Sequence, residues 1–262
     1  HVQTYGGSHG TQNLRESIKN SCNPALMQIG ELIGISKFNQ YYDAFGFSER
    51  TGIDLPGEAD DIYFDRETMG EVHLATASFG QNFAITPIQM ATAVASIANG
   101  GYLVQPHMVE RIEDSQGNVI STTSTEVKRQ VLSKETTAII CDILEENAVS
   151  GSGSNGYVAG YRVAGKTGTS EKKIDLNNDG VDDYIASFCG FAPAEKAEVV
   201  CLVFFDTPTG DAYYGSQVAA PVFAQIMSEV LPYMEVATQY TEEELANLDT
   251  TTDTYIGMTV DE

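Results

Sequence analysis

Val199-Val-Cys-Leu-Val-Phe-Phe205 is the longest strongly apolar run in the chain, and it narrows the choice of fold more than any other segment. A membrane span needs about 20 apolar residues, so a run this short suits a buried strand. It forms the end of a strand predicted over Glu198–Phe205. Two more strands are predicted before it, Tyr157–Thr169 and Tyr184–Ala192, with Pro193-Ala-Glu-Lys196 as the turn between the last two. Cys189 and Cys201 are symmetric about Glu195 in that turn, so an antiparallel hairpin should set them opposite each other. An amphipathic helix over Val218–Leu231 closes the region. Helices dominate earlier in the chain, and the order of helices, terminal sheet and helix predicts an α+β fold, an antiparallel sheet flanked by helices.

The earlier helices carry their own punctuation. Thr11–Ser21 and Pro24–Leu32 have helical apolar spacing at Leu14, Ile18, Leu26, Ile29 and Ile33. Between them, Asn23 reads as an N-cap and Pro24 as the first helical residue, which would present Ser21 and Asn23 at a helix end. A helix over Ser36–Phe45 stops at Gly46. Thr86-Pro-Ile-Gln89 has the T-x-x-Q form of a capping box, ahead of a small, nearly all-apolar helix over Met90–Ala98 that belongs in the middle of the domain. A hairpin is predicted from Tyr102–Ile112 and Val119–Thr122, turning at Asp114–Asn118. Ser133 opens a helix to about Val149, and the loop Gly151–Gly156 follows.

Charge and cysteine usage exclude several functions. Asp and Glu number 37 against 14 Lys and Arg, a formal charge of −23. Such a chain repels phosphate backbones and anionic membrane surfaces, so no nucleic acid is expected as a partner. Cys22, Cys141, Cys189 and Cys201 have no C-x-x-C spacing, and the four histidines no H-E-x-x-H, so no zinc site is expected. From Glu235 onward the only charges are acidic, which reads as an exposed linker.

Two short motifs carry chemistry. Lys166-Thr167-Gly168-Thr169 ends a predicted strand, and Ser21-Cys22-Asn23 sits at the helix junction roughly 145 residues earlier. Together they resemble the K-T-G and S-x-N signatures of the penicillin-binding protein and serine β-lactamase superfamily. Phe45-Gly-Phe47, Thr51–Glu58, Phe79–Met90 and Ile97–Gly101 are similar to segments of class B penicillin-binding proteins. The similarity runs from about Gly6 to Leu231, so 1–234 reads as the C-terminal part of a transpeptidase domain and 235–262 as an acidic linker. Tyr255–Glu262 resembles the first strand of a cell-wall-binding PASTA repeat. Asn82 stands where the family commonly has Gly, which should alter a local turn.

The resemblance implies the transpeptidase fold and acyl transfer by a serine, which needs an amine, a proton relay and an oxyanion hole. Ser21 would relay protons toward the leaving amine, and Asn23 would bind the substrate amide and the lysine network. Lys166 would supply positive charge. Thr167 and Thr169 would hold the substrate carboxylate, with Gly168 between them and the Thr169 amide completing the oxyanion hole. The implied partners are peptidoglycan stem peptides ending in D-Ala-D-Ala, β-lactam antibiotics and other cell-wall synthesis proteins. No cofactor is implied. The implied location is the extracytoplasmic face of a bacterial membrane, with the anchor elsewhere in the parent. The nucleophile's S-x-x-K should lie some tens of residues before Ser21, upstream of His1, so these residues alone should not acylate. A D,D-carboxypeptidase or β-lactamase, a non-catalytic cell-wall module and a nucleotide hydrolase are the alternatives.

Other patterns have plainer readings. Gly160–Thr167 matches the P-loop G-x-x-x-x-G-K-[ST], and Val199–Asp206 imitates the strand and Asp that would hold magnesium. However, Tyr161–Ala164 reads as a strand rather than a loop opening a helix. Gly151-Ser-Gly-Ser-Asn-Gly156 is a literal G-x-G-x-x-G that follows a helix, so it reads as a loop. Asp175–Asp183 holds half a calcium pattern but has Ala186 where the bidentate Glu belongs. Ser170-Glu-Lys-Lys173 fits S-x-x-K yet continues a strand. Cys22 reads as a packing residue.

Overall fold

In the computed structural model, which describes residues 9–60, 68–175 and 183–244, the chain begins with helices α1 (Leu14–Lys19), α2 (Asn23–Ile33), α3 (Ile35–Ala44), α4 (Glu71–Ala77) and α5 (Pro87–Ala98). Four short strands follow, β1 (Tyr102–Gln105), β2 (Arg111–Glu113), β3 (Val119–Thr122) and β4 (Glu126–Gln130). Helix α6 (Lys134–Ser150) leads to β5 (Ala164–Glu171), β6 (Tyr184–Ala192) and β7 (Val199–Asp206), and α7 (Gly215–Tyr233) closes the fold.

The last three strands form one antiparallel sheet in the order β5-β6-β7. Side chains alternate across it, and both faces are covered. On one face Val163, Phe188, Ala192, Val199 and Cys201 meet Ala219, Ala220, Phe223, Met227 and Leu231 of α7. On the other, Ala164, Phe191 and Val200 meet Val94 and Ala98 of α5 and Cys141 and Leu144 of α6. Phe188, Phe191 and Phe223 are fully buried, each worth about 1.5–3 kcal/mol in transfer terms. This double burial explains why β6 and β7 are apolar almost throughout. A smaller core of Met69, Leu74 and Ala77, with Ile35, Phe38 and Phe83 against it, joins α3 and α4. The expected α+β architecture is present.

The capping box of α5 forms as expected: Gln89 N donates to Thr86 Oγ1 at 3.2 Å, and Thr86 N donates to Gln89 Oε1 at 2.8 Å. Gln89 is buried, and its Nε2 also donates to Glu49 O at 2.9 Å, so a polar side chain anchors the central helix without being left unpaired. Asn82 has φ +67, a left-handed conformation that explains a preference for Gly there; Asn is among the few side chains that tolerate it.

Several boundaries differ from the sequence expectation. The hairpin is shorter than predicted: only β2 pairs with β3 around the Asp114–Asn118 turn. Asp114 Oδ1 accepts from Gln116 N and Asn118 N there. Tyr102–Gln105 pairs instead with β4, because Pro106 has no N–H to extend the ladder toward β2. The charged run Glu126-Val-Lys-Arg-Gln130 carries no alternation by which to read it as a strand. β5 starts at Ala164 rather than Tyr157, since Tyr161 N turns back to Val158 O at 3.1 Å. Cys189 pairs with Leu202, and Cys201 with Gly190. The register is thus one residue away from the symmetric one, because the loop 193–198 has an even number of residues. The two cysteines lie on adjacent strands but on opposite faces, and all four cysteines are free thiols.

Of the residues after α7, those described, 234–244, are mostly exposed, yet they are tied down. Gln239 N donates to Gly160 O at 2.7 Å, and Glu244 Oε1 accepts from Gly160 N at 3.0 Å and from Tyr157 Oη at 2.5 Å. The segment compared with a PASTA strand lies outside the described residues, as does all of the calcium pattern but Asp175 and Asp183. Among the described residues no group of His, Cys, Asp and Glu could hold a metal ion, and no helix is long and apolar enough to cross a membrane.

Phe223 is fully buried, whereas Phe204 at the outer end of β7 is 47% exposed. Phe223→Ala should therefore cost about 3–5 kcal/mol, and Phe204→Ala less than about 1 kcal/mol. Urea denaturation of both variants measures the difference, and equal losses would contradict the difference in burial between the two rings.

Candidate active site

Ser21 is positioned by the way α1 ends. Asn13 caps the helix in a reciprocal box with Glu16. At the other end Cys22 N donates to Ser17 O and Ser21 N to Ile18 O, both at 3.0 Å, which is the Schellman arrangement. That motif requires a left-handed residue after the cap, and here the residue is Ser21, with φ +49. Glycine suits such a position better, so a side chain is kept there at a local cost.

Helix α2 begins one residue earlier than the sequence indicated. Cys22 is the N-cap and is buried, consistent with packing, while Asn23 is the first helical residue rather than the cap. The shift follows from the two bonds of the turn, which leave Cys22 extended. Asn23 is exposed, and among the described residues its side chain has no hydrogen-bond partner.

Helix α1 lies on α6. Arg15 pairs with Asp142 at 2.5 Å and with Glu146 at 2.9 Å, and Lys19 with Glu146 at 3.1 Å. Lys19 O also accepts from Ser152 N at 3.2 Å. Since α6 packs on β5, this carries Ser21 to the sheet. Lys166 Nζ donates to Ser21 Oγ at 2.8 Å, bridging 145 residues of sequence, and to Thr167 O at 3.0 Å. Thr169 Oγ1 accepts from Gly215 N at 3.0 Å, which fixes the start of α7 on β5. No side chain would fit at Gly215, where an added Cβ would lie 2.3 Å from Ser187 O and 2.4 Å from Gly168 O.

Burial draws the Lys166 amine down to about 8, because an ammonium loses hydration on leaving water. Lys166 pairs across the sheet with Cys189, whose thiol burial pushes up to about 12 and so keeps neutral. Among the described strands β5 is one of the two edges of its sheet, β7 being the other, so its unpaired backbone edge can receive an extended peptide. An amine near neutrality, a hydroxyl hydrogen-bonded to it and an open strand edge together can hold an anion and move a proton.

Of the residues singled out in the sequence, Ser21, Lys166, Thr167, Gly168 and Thr169 converge, and Asn23 stands at the same junction without joining the lysine network. The P-loop pattern is ruled out as a phosphate cradle, because Lys166 and Thr167 are inside strand β5, which continues to Glu171 rather than opening a helix. Ser170 is also on that strand, with its Oγ 3.5 Å from Gln81 Oε1, and Lys173 pairs with Glu171. Ser170–Lys173 therefore lacks the helical setting of a nucleophile. Gly151–Gly156 forms a loop with one 3-10 turn, as expected. Sequence reasoning missed Asn147, Ser152 and Gly215. The available signal was an amide one turn beyond Ile143 on the buried stripe of α6.

A helix junction thus presents a serine to a strand-borne lysine beside an antiparallel sheet covered by helices on both faces. The family described as penicillin binding protein transpeptidase domain matches residues 1–228. The chain belongs to that family. It is 42% identical over 234 residues to Stage V sporulation protein D of Bacillus subtilis, covering 88% of this chain and 36% of that protein. It is 28% identical over 220 residues to the peptidoglycan D,D-transpeptidase FtsI of Escherichia coli K12, covering 84% of this chain and 35% of that one. Thus the chain spans little more than a third of the length of these curated relatives. The apo transpeptidase domain of Burkholderia pseudomallei penicillin-binding protein 3 superposes with a TM-score of 0.78 at 27% identity, covering 91% of this chain and 69% of that structure.

The Lys166 titration has a stability signature. Its folded pKa of about 8 lies below the ordinary 10.5, so over that interval the unfolded chain binds the proton more tightly. Stability should therefore rise as pH climbs from about 8 toward 10.5 and be lowest below 8. Replacing Lys166 with Met should flatten this rise and increase stability near neutral pH. Urea titrations of both proteins at about pH 7 and about pH 10 test it; the same pH dependence in both would show that Lys166 is not desolvated.

Proposed function

We propose that this chain supplies the S-x-N and K-T-G walls of a peptidoglycan D,D-transpeptidase site. The contact of Lys166 Nζ with Ser21 Oγ at 2.8 Å carries the reading. Cross-linking requires attack by a serine on the D-Ala–D-Ala bond of a stem peptide, expulsion of the terminal D-Ala and transfer of the acyl group to a neighbouring amine. The nucleophilic serine of an S-x-x-K helix comes from polypeptide outside these 262 residues. Ser21 passes a proton between that centre and the departing amine, with Lys166 as its hydrogen-bonded partner. Asn23, exposed at the start of α2, binds the substrate amide. Lys166, Gly168 and Thr169 receive the substrate carboxylate along the β5 edge, with Thr167 between them as a hydrogen-bonding partner of Lys166, and the Thr169 N–H completes the oxyanion hole. β-Lactams enter by the same route because they mimic the acyl donor. The domain works on the extracytoplasmic side of a bacterial membrane, where the cross-linked peptides are.

In the natural polypeptide that contains this chain, a fluorescent penicillin should label one serine outside residues 1–262. Lys166→Ala should slow that labelling about a hundredfold or more, equivalent to about 3 kcal/mol of transition-state stabilisation. Acylation of Lys166→Ala at the wild-type rate would refute the role given to this lysine. Labelling of Ser170 would show that the nucleophile has been misplaced.

A further inference from the structure

We propose that Asn147 is a positioning residue for Lys166 and Thr167, acting through Ser152 by fixing the direction of a hydrogen-bonded relay that leaves strand β5 and returns to it. Asn147 is fully buried in the last turn of α6. Its Nδ2 donates to Gly165 O at 2.8 Å, and its Oδ1 accepts from Ser152 Oγ at 3.1 Å. Thr167 Oγ1 lies 3.5 Å from Ser152 Oγ, and Lys166 Nζ 3.4 Å from Thr167 Oγ1. The last two contacts are long, but the polarity of the series is settled at both ends. A backbone carbonyl can only accept and an ammonium can only donate. Hence the amide nitrogen faces Gly165, the amide oxygen takes the Ser152 proton, Ser152 oxygen takes the Thr167 proton, and Thr167 oxygen is left for Lys166. Bonds aligned head to tail in a buried setting strengthen one another.

The loop is shaped around this amide. A Cβ added at Gly151 would lie 2.5 Å from Asn147 Oδ1, and one at Gly153 would lie 2.7 Å from Asn147 Nδ2. Only glycine fits on either side of Ser152 while Asn147 keeps its place. The relay also separates the two threonines. Thr167 has its proton engaged with Ser152 and serves Lys166 as an acceptor. Thr169 already accepts from Gly215 N, so its O–H remains available to a substrate carboxylate. The Lys166 amine is hydrogen-bonded to Ser21 from the α1–α2 junction and to Thr167 on its own strand.

The inference rests on the transpeptidase reading only for its kinetic consequence, so the test has two arms. In the first, Lys166 is titrated by NMR in the 262-residue chain carrying Asn147→Leu, Ser152→Ala or Ser152→Thr. Asn147→Leu and Ser152→Ala should each lower the Lys166 midpoint by about half a pKa unit or more, because the ammonium loses an oriented acceptor. Ser152→Thr keeps the hydroxyl and should restore the wild-type midpoint. In the second arm, penicillin acylation in the longer natural polypeptide should slow about tenfold in the first two variants and stay within about twofold in Ser152→Thr. A merely structural role would lower thermal stability without moving the Lys166 midpoint, and that result in folded variants overturns the proposal. Should Asn147→Leu fail to fold, the Ser152 pair decides. A wild-type polypeptide that does not react with penicillin defeats the functional reading, while the titration still decides the relay.

Discussion

Strand β6 is buried on both faces, and the placement of the other elements follows from that. Phe188 points toward α7 and Phe191 toward α5 and α6, so neither helical layer can be removed without exposing an aromatic ring. With α6 held on one face, α1 follows through its contacts with Asp142 and Glu146. These ion pairs are at least partly exposed, and such pairs contribute about 0–1 kcal/mol each. Burial of the phenylalanines is worth several times more. The apolar layers therefore stabilise the domain, and the ion pairs decide where on α6 the first helix rests. That placement brings Ser21 to Lys166.

The site occupies the least favourable positions of this framework. Ser21 takes a left-handed backbone that glycine would adopt more easily, and Lys166 gives up hydration to reach it. Both departures from local preference meet at the same 2.8 Å contact, and strain at functional positions is sustained by the stability of the surroundings. Around this contact the hydroxyl groups are divided in function by their partners. Gly215 and the Asn147–Ser152 relay hold Thr169 and Thr167 in opposite hydrogen-bonding roles, although the two threonines are only two residues apart on one strand. Substrate recognition and lysine positioning can then be supplied by like side chains without competing for the same protons.

The sequence by itself determined what depends on neighbours within a few residues. The Thr86–Gln89 capping box, the Asp114–Asn118 turn, the apolar run of β7 and the presentation of Ser21 at a helix junction were all legible, since each is a short-range matter of hydrogen bonding or alternation. The pairing of Ser21 with Lys166 was legible too, but only through the resemblance of Ser21-Cys-Asn23 and Lys166-Thr-Gly-Thr169 to the S-x-N and K-T-G signatures of a known family. Tertiary structure alone decided that β1 pairs with β4, that the β6–β7 register separates Cys189 from Cys201, and that Asn23 stands beside rather than within the lysine network. It also gathered Asn147, Ser152 and Thr167 into one relay. Register and hydrogen-bond direction depend on groups brought together from distant parts of the chain, and a change of one residue in pairing reverses the face of every side chain.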